Sequence, residues 1–283
     1  VAVNGIKVLS LFDGIACGLV ALKRAKINIS EYHAYEIDYK AIQVTKNNHP
    51  EVIHHGSVEN ANFSKFKNID LIIGGSPCQG FSFLGNQLGF NHPESKLYFE
   101  FERAIKEIKP KYFLLENTPM DWSYVLTINK RLNVNYVELN SVKVSAQHRK
   151  RLYWKNWEVP EPYDFKINLQ DILIRDYKLI KNYKVNKTPS RDKMWLEGKC
   201  KNITYSNKSN CLTTRQDRWG NAGLIEFEDY CRYLTPIECE RLQTLPDDYT
   251  KGFSPNERYK MLGNCWTINM ISWLFWYSPF GNN

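Results

Sequence analysis

Apolar positions in the first half of the chain fall in short runs separated by turn residues and by stretches with helical spacing. Lys7 to Phe12, Glu31 to Ile37, Ile69 to Ile73, Lys111 to Leu115, Tyr136 to Val144 and Leu152 to Trp157 read as strands. Leu19 to Ala25, a stretch from about Ala41, and Tyr98 to Ile108 read as helices between them. This alternation predicts an α/β domain whose parallel sheet is doubly wound by crossover helices. The regularity ends near Pro160-Glu161-Pro162, where polar, basic and irregular sequence takes over. Helical signals return at Thr235-Pro236-Ile237-Glu238, with an N-cap, a proline in the first turn and an acid three residues after the cap. Thr267 to Tyr277 is apolar enough to pack back on the first domain. The expected organisation is therefore 1–159, a smaller domain 160–254, and a returning segment 255–283.

With 283 residues, 43% of them hydrophobic, the chain can bury a substantial core, which excludes intrinsic disorder. The net charge of +8 favours a polyanionic partner, and the excess is local: residues 175–201 carry nine Lys or Arg against three Asp or Glu. Seven cysteines without a Cys-x-x-Cys pair argue against a disulfide framework or a zinc site, so no metal is expected and a reducing, cytoplasmic setting is. The apolar run Met270 to Tyr277 is far short of the roughly 20 residues of a membrane helix, and no secretory signal pattern is seen.

Candidate chemistry collects at the predicted carboxyl ends of the strands, where open α/β sheets bind ligands. Phe12-Asp13-Gly14-Ile15-Ala16-Cys17-Gly18 is a glycine-rich turn without the spacing suited to a pyrophosphate, which favours a simpler nucleoside. Glu36, 22 residues after Gly14, is placed to take ribose hydroxyls, with Asp38 as the second candidate. An ordinary βα turn followed by a surface Glu would look the same. Ile69 to Ile73 leads into Gly74-Gly75-Ser76-Pro77-Cys78, so a thiol stands on a turn at that edge. Glu116, after Lys111 to Leu115, brings a carboxyl there as a candidate general acid; a helix-capping or solvated Glu is the alternative. In Gln147-His148-Arg149-Lys150-Arg151, strand alternation would turn Gln147, Arg149 and Arg151 to one face, toward a polar ligand, a buried carboxylate or a phosphate.

These motifs, with Arg232-x-Leu234-Thr235-Pro236-x-Glu238-x-x-Arg241-Leu242-Gln243 and Gly263-Asn264, follow the order found in cytosine-C5 DNA methyltransferases, which the chain resembles over nearly its whole length. Phe12 to Ala16 and Thr213-Thr214-Arg215 are similar to the animal de novo type, while Pro77-Cys78-Gln79 is closer to bacterial or phage members. The resemblance implies a Rossmann-like, doubly wound S-adenosylmethionine-dependent methyltransferase sheet with a smaller target-recognition domain. It also implies methyl transfer from S-adenosyl-L-methionine to C5 of a flipped cytosine in duplex DNA, leaving S-adenosyl-L-homocysteine.

By the same resemblance Cys78 is the nucleophile for cytosine C6, Glu116 bonds N3, Arg151 holds O2, and Arg149 positions the Cys78 and Glu116 segments or a phosphate. Cofactor contacts carry over to Phe12, Asp13, Gly14, Ile15, Ala16, Glu36, Ile37, Ser57, Val58, Pro77, Leu97, Asn264 and Trp266. DNA contacts carry over to Gln79, Ser82, Gln147, Arg215, Gln216 and Arg218, where base-edge and phosphate readings of Arg215, Gln216 and Arg218 both stay open. Gly80 to Ser95, with glycines at 80, 85 and 89, corresponds to the loop that closes over the base.

Departures from the family pattern are Thr118 where Val is usual after Glu-Asn, Ser57 where an Asp reads adenine, and Cys265-Trp266 where Ser-Val is common. A monomer acting in the bacterial or phage-infected cell, near the nucleoid, is expected, with a cognate restriction endonuclease as a candidate partner in a restriction-modification or phage self-protection role. Two other readings stay open. An RNA enzyme of the tRNA branch would carry a Cys-Phe-Thr signature, which is not found; a DNA-binding homologue without activity would have lost the nucleophile, the acid or the cofactor turn.

Overall fold

The computed structural model describes residues 5–77, 95–218, 221, 223–228 and 230–281. They divide into two compact units, one drawn from residues 1–139, 150–161 and 271–283, the other from 140–149 and 162–270. The partition differs from the expected one in three places. Pro160 and Glu161 belong to the first unit, and residues 140–149 and 255–270 belong to the second, where their polar side chains and backbone bond.

The first unit contains, in chain order, β1 (Ile6–Leu11), α1 (Cys17–Arg24), β2 (Ile29–Tyr35), α2 (Tyr39–Asn48), β3 (Ile53–His54), β4 (Leu71–Gly74), α3 (Tyr98–Ile108), β5 (Tyr112–Asn117), α4 (Trp122–Leu132), β6 (Tyr136–Asn140) and β7 (Lys150–Lys155). The sheet order is β3-β2-β1-β4-β5-β7-β6. Strands β3, β2, β1, β4 and β5 pair in parallel, and β7 runs antiparallel to β5. The reversal between β1 and β4 in chain order places a ligand crevice at their carboxyl ends. Every residue of β4 is buried, as expected where helices cover both faces of a parallel sheet. Leu9, Leu11, Ile72 and Leu115 share one core with Phe63, Tyr98, Phe101 and Ile128.

Helix α3 illustrates how sequence sets an element. Tyr98, Phe101 and Ala104 form its buried stripe, and Lys109, in the left-handed region before Pro110, ends it. The strand predicted over Tyr136 to Val144 stops at Asn140, whose side chain accepts from the Val142 N–H and starts a 3₁₀ turn at Ser141–Lys143. Residues 271–283 pack within this unit, where the Ser272 hydroxyl donates to the Ala21 carbonyl and the Trp157 indole donates to the Leu274 carbonyl.

The second unit holds α5 (Leu169–Ile172), α6 (Tyr177–Ile180), β8 (Lys184–Asn186), α7 (Pro189–Leu196), β9 (Ile225–Glu226), β10 (Tyr230–Arg232), α8 (Pro236–Leu242) and α9 (Pro255–Asn264), and α10 (Ile268–Trp276) begins in it. A three-stranded antiparallel sheet, β8-β10-β9, packs Val185, Leu224 and Cys231 together. Thr235 caps α8 through a reciprocal capping box with Glu238, as its sequence predicts. Among the described residues no helix is long and apolar enough to cross a membrane, and no group of three or more His, Cys, Asp or Glu is placed to hold a metal ion.

Candidate active site at the carboxyl edge of the sheet

Register fixes which side chains meet. Leu11 lies opposite Gly74, and Gly74 opposite Leu115, so the turn after β1, the segment after β4 and the end of β5 share one edge. Because β7 is antiparallel to β5, it begins at that edge, with Leu152 opposite Asn117. Arg151 is thereby delivered to Glu116, and its Nε lies 2.9 Å from Oε1. Glu116 is 8% exposed, so the pair sits largely out of water, where a guanidinium fixes a carboxylate most firmly. The next residue, Asn117, donates from Nδ2 to the Ser76 carbonyl at 3.3 Å and to its hydroxyl at 3.2 Å. Ser76 and Pro77 close the described part of the segment leading to Cys78. Cys78, Gln79 and, apart from Ser95, the whole predicted closing loop from Gly80 to Ser95 with Ser82 in it lie outside the described residues.

The turn after β1 is built on three left-handed residues, Phe12, Gly14 and Ala16, each with φ near 60°. Two of them carry side chains in a conformation that costs energy for residues other than glycine, so the surroundings must enforce it. Glu36 supplies one constraint: its carboxylate accepts from the Gly14 N–H at 2.7 Å and from the N–H groups of Ile37 and Asp38 at 2.8 Å. Asp13 supplies another. It is buried, its Oδ1 accepts from the Tyr32 hydroxyl at 2.7 Å, and its Oδ2 has no partner among the described residues.

Burial pushes the Asp13 carboxyl from an ordinary value of 3.8 up to about 7; hydrogen bonds from Ser10 and Tyr32 oppose the shift and the nearby Glu36 charge adds to it. Between these values the folded state holds more protons than the unfolded one, so stability falls as pH rises through the window. Each tenfold change in proton affinity is worth about 1.4 kcal/mol. Wild type is expected to lose roughly 2–3 kcal/mol relative to Asp13→Asn between about pH 5 and pH 8, read by urea unfolding. Parallel pH profiles for the two proteins would remove Asp13 from the account.

The expected cofactor residues of the first unit surround this turn or the neighbouring edge. Ile37 directly follows Glu36 and is 73% exposed, an apolar side chain open to a planar ring. Gly14 faces open space, with nothing within 4 Å of where a Cβ would stand. The backbone of Ile15 belongs to the same turn. Ser57 accepts from the Glu59 N–H, Val58 is buried, and Leu97 is half-buried at the start of α3. An exposed apolar residue beside a carboxylate, next to a glycine turn with free space, fits an adenosine. Asn264 and Trp266 are in the second unit, exposed and half-buried respectively.

Three expectations are corrected. The strand begins at Lys150, so Gln147 and Arg149 precede it and do not share a strand face with Arg151. Gln147 is 0% exposed, donates to the Leu242 carbonyl and the Gln243 side chain, and accepts from the Leu212 N–H, which leaves nothing of it for DNA. Arg149, 3% exposed, donates to the carbonyls of Leu212, Gly263 and Cys265, an arrangement that excludes the phosphate reading. Gln216 is also buried, its oxygen accepting from Thr213, whereas Arg215 and Arg218 are exposed. Arg215 is held in a two-point ion pair with Asp217.

Sequence reasoning missed Tyr32 and Gln243. Gln243 donates to the carbonyls of Leu262 and Cys265 and so completes the network around Gln147 and Arg149. It is legible in the sequence as part of a motif, without a role. Gly263 belongs to the same packing: a Cβ there would lie 2.4 Å from backbone atoms of Thr213 and Thr214.

The family model for C-5 cytosine-specific DNA methylase matches residues 6–122 and 122–275. The chain is 28% identical over 302 residues to the Type II methyltransferase M1.ScrFI of Lactococcus lactis subsp. cremoris, covering 94% of this chain and 76% of that one. It is 24% identical over 308 residues to the Type II methyltransferase M.HhaI of Haemophilus parahaemolyticus, covering 96% and 93%. In fold it is similar to the Entamoeba histolytica methyltransferase EhMeth, with a TM-score of 0.76 at 17% identity over 97% and 98% of the two chains. It is likewise similar to the S. pombe Dnmt2 methyltransferase, with a TM-score of 0.74 at 19% identity over 96% and 97%. The sheet and its switch-point edge are thus those of known methyltransferase structures, and the chain belongs to the C-5 cytosine-specific DNA methylase family.

Proposed function

We propose that the protein is a DNA (cytosine-5-)-methyltransferase that modifies a flipped cytosine in duplex DNA through a covalent adduct between Cys78 and ring C6. The observation that carries this reading is the Arg151–Glu116 ion pair at the same sheet edge as the Ser76-Pro77 segment entering Cys78. Held by the Phe12 to Ala16 turn, Glu36 and Ile37, S-adenosyl-L-methionine would supply the methyl group. The Cys78 thiolate adds to C6, which moves electron density toward C5 and N3. Glu116, carrying a proton, donates a hydrogen bond to N3, and Arg151 fixes Glu116 and is placed to hold the base carbonyl. After methyl transfer the C5 proton leaves to a base, the C6–S bond breaks, and the thiolate is regenerated with 5-methylcytosine as product.

DNA rather than RNA is favoured by similarity to Type II enzymes over most of the chain. Exposed Arg175, Lys178, Lys181 and Lys184 in the second unit, with Arg215 and Arg218, suit a phosphate backbone. We assign this unit to target recognition, and similarity to the same Type II relatives supports a restriction-modification role with a cognate endonuclease. The test is transfer of tritium from labelled S-adenosyl-L-methionine to duplex DNA and, separately, to tRNA, with Cys78→Ala alongside. Label in DNA that is lost in the variant is expected. Label in tRNA alone would assign the RNA substrate, and label in neither would leave a binding protein.

A further inference from the structure

We propose that Arg103 is a positioning residue for the cofactor, an inference that rests on the methyltransferase reading above, in which Ser57, Val58 and Leu97 contact S-adenosyl-L-methionine. From α3 it fixes the turn that carries Ser57 and Val58, so this wall of the site is formed before the cofactor arrives. After the two-residue strand β3 the chain runs from His55 to Asn62 without regular structure, until a 3₁₀ turn at Phe63–Lys65. Locally the run is held by the His55 N–H on the Ala34 carbonyl, the Ala61 N–H on the Val58 carbonyl and the Glu59 N–H on Ser57 Oγ. A segment with so few ladder bonds needs a tie from a rigid element to keep one shape.

Arg103 is that tie. Its Nη1 donates to the Ala61 carbonyl at 3.0 Å and its Nη2 to the Val58 carbonyl at 3.3 Å, so both ends of the turn are held. The remaining donors go to its own helix: Nε and Nη2 to Glu100 at 2.8 and 2.5 Å, and Nη1 to Glu107 at 3.2 Å. These carboxylates set the plane of the guanidinium, and five bonds from a rigid fork leave it one orientation. Its Cζ lies 4.4 Å from the centre of the Phe63 ring, which is fully buried where the run ends. Helix α3 thereby joins two walls, with Leu97 at its start and Arg103 holding Val58. Val58 belongs to the core that Leu97 and Phe12 pack against, so three side chains expected at the cofactor meet in one cluster. A wall already held in its bound shape lowers the ordering cost of binding, which is read in affinity rather than in the chemical step.

The test compares Arg103→Ala and Arg103→Lys with wild type. It uses calorimetric titration with S-adenosyl-L-methionine and S-adenosyl-L-homocysteine, kinetics on whichever nucleic acid the wild type methylates, and hydrogen exchange of the cofactor-free protein. Arg103→Ala is expected to weaken binding of both molecules roughly 10-fold and to raise the KM for S-adenosyl-L-methionine by the same factor. The kcat at saturating cofactor should stay within about threefold of wild type. Without cofactor, amides of residues 55–62 should exchange faster than in wild type, and those of β1 and β4 at the wild-type rate. Arg103→Lys, whose ammonium cannot serve both carbonyls and Glu100 in one plane, should fall between, and it decides the matter if Arg103→Ala does not fold. Wild-type affinity in every variant that folds, or a loss of kcat and thermal midpoint with affinity unchanged, would overturn the positioning role alone. Wild-type protein that binds no S-adenosyl-L-methionine would overturn the methyltransferase reading and the role of Arg103 together.

Discussion

Cys78→Ala is expected to abolish methyl transfer, while Glu116→Gln should slow it by about 10²–10⁴-fold and leave folding intact. The difference in severity follows from the roles proposed. Without the thiolate there is no attack at C6, and cytosine C5 alone is too weak a nucleophile. In the Glu116→Gln variant the side chain still accepts from Arg151 but can no longer protonate or share a proton with N3, so charge that develops on the ring is less well stabilised. Single-turnover transfer separates the two, and equal residual rates would show that one of the assignments is misplaced. Cofactor binding, which uses the turn after β1, should be unchanged in both variants.

The largest expected effect on stability lies in the second unit. Arg232 and Glu238 form an ion pair with side chains 1% and 0% exposed, through two bonds of 2.8 Å. Glu238 also accepts from the N–H groups of Ile174 and Thr235, so one carboxylate ties α8 to the chain after α5 and to its own cap. Arg232→Ala leaves that carboxylate buried without its cation and should cost about 3–5 kcal/mol. The double variant Arg232→Met with Glu238→Gln should recover a large part of the loss, because no uncompensated charge remains. Urea unfolding of the single and double variants gives the comparison. If the double variant is as unstable as Arg232→Ala, backbone bonding rather than charge pairing holds this corner.

Periodicity is most informative where one element answers to one stripe of residues. Tyr98 to Ile108 reads as a helix and is one to the residue, because its buried positions and its stop at Lys109-Pro110 are all local. The α8 cap is equally local. Gln147 and Arg149 defeat the pattern because alternation looks the same in a strand and in an extended segment that leads into one. Their partners are the carbonyls of Leu212, Leu242, Gly263 and Cys265, 63 to 116 residues away along the chain, and no nearby pattern announces them.

At the candidate site the residue types are legible in the sequence and the pairings are not. Glu116 and Arg151 each stand out, yet that they meet depends on β7 being antiparallel to β5. Asp13 falls in the cofactor turn, but its burial against Tyr32 depends on the register between β1 and β2, in which Ser10 lies beside Ala34 and Val8 beside Tyr32. Asn117 reads as part of a motif, and only the parallel pairing of β4 with β5 brings it to Ser76.

The proposed chemistry turns on a covalent bond from Cys78 to cytosine C6. Its most direct measurement is incubation with S-adenosyl-L-methionine and duplex DNA carrying 5-fluorocytosine at the methylated position, followed by denaturing electrophoresis and peptide mapping of the adduct. Fluorine at C5 cannot leave as a proton does, so wild-type protein should accumulate a denaturant-stable protein–DNA adduct mapped to Cys78, and Cys78→Ala should give none. Active wild-type enzyme that forms no adduct, or an adduct that persists in Cys78→Ala, would contradict the account.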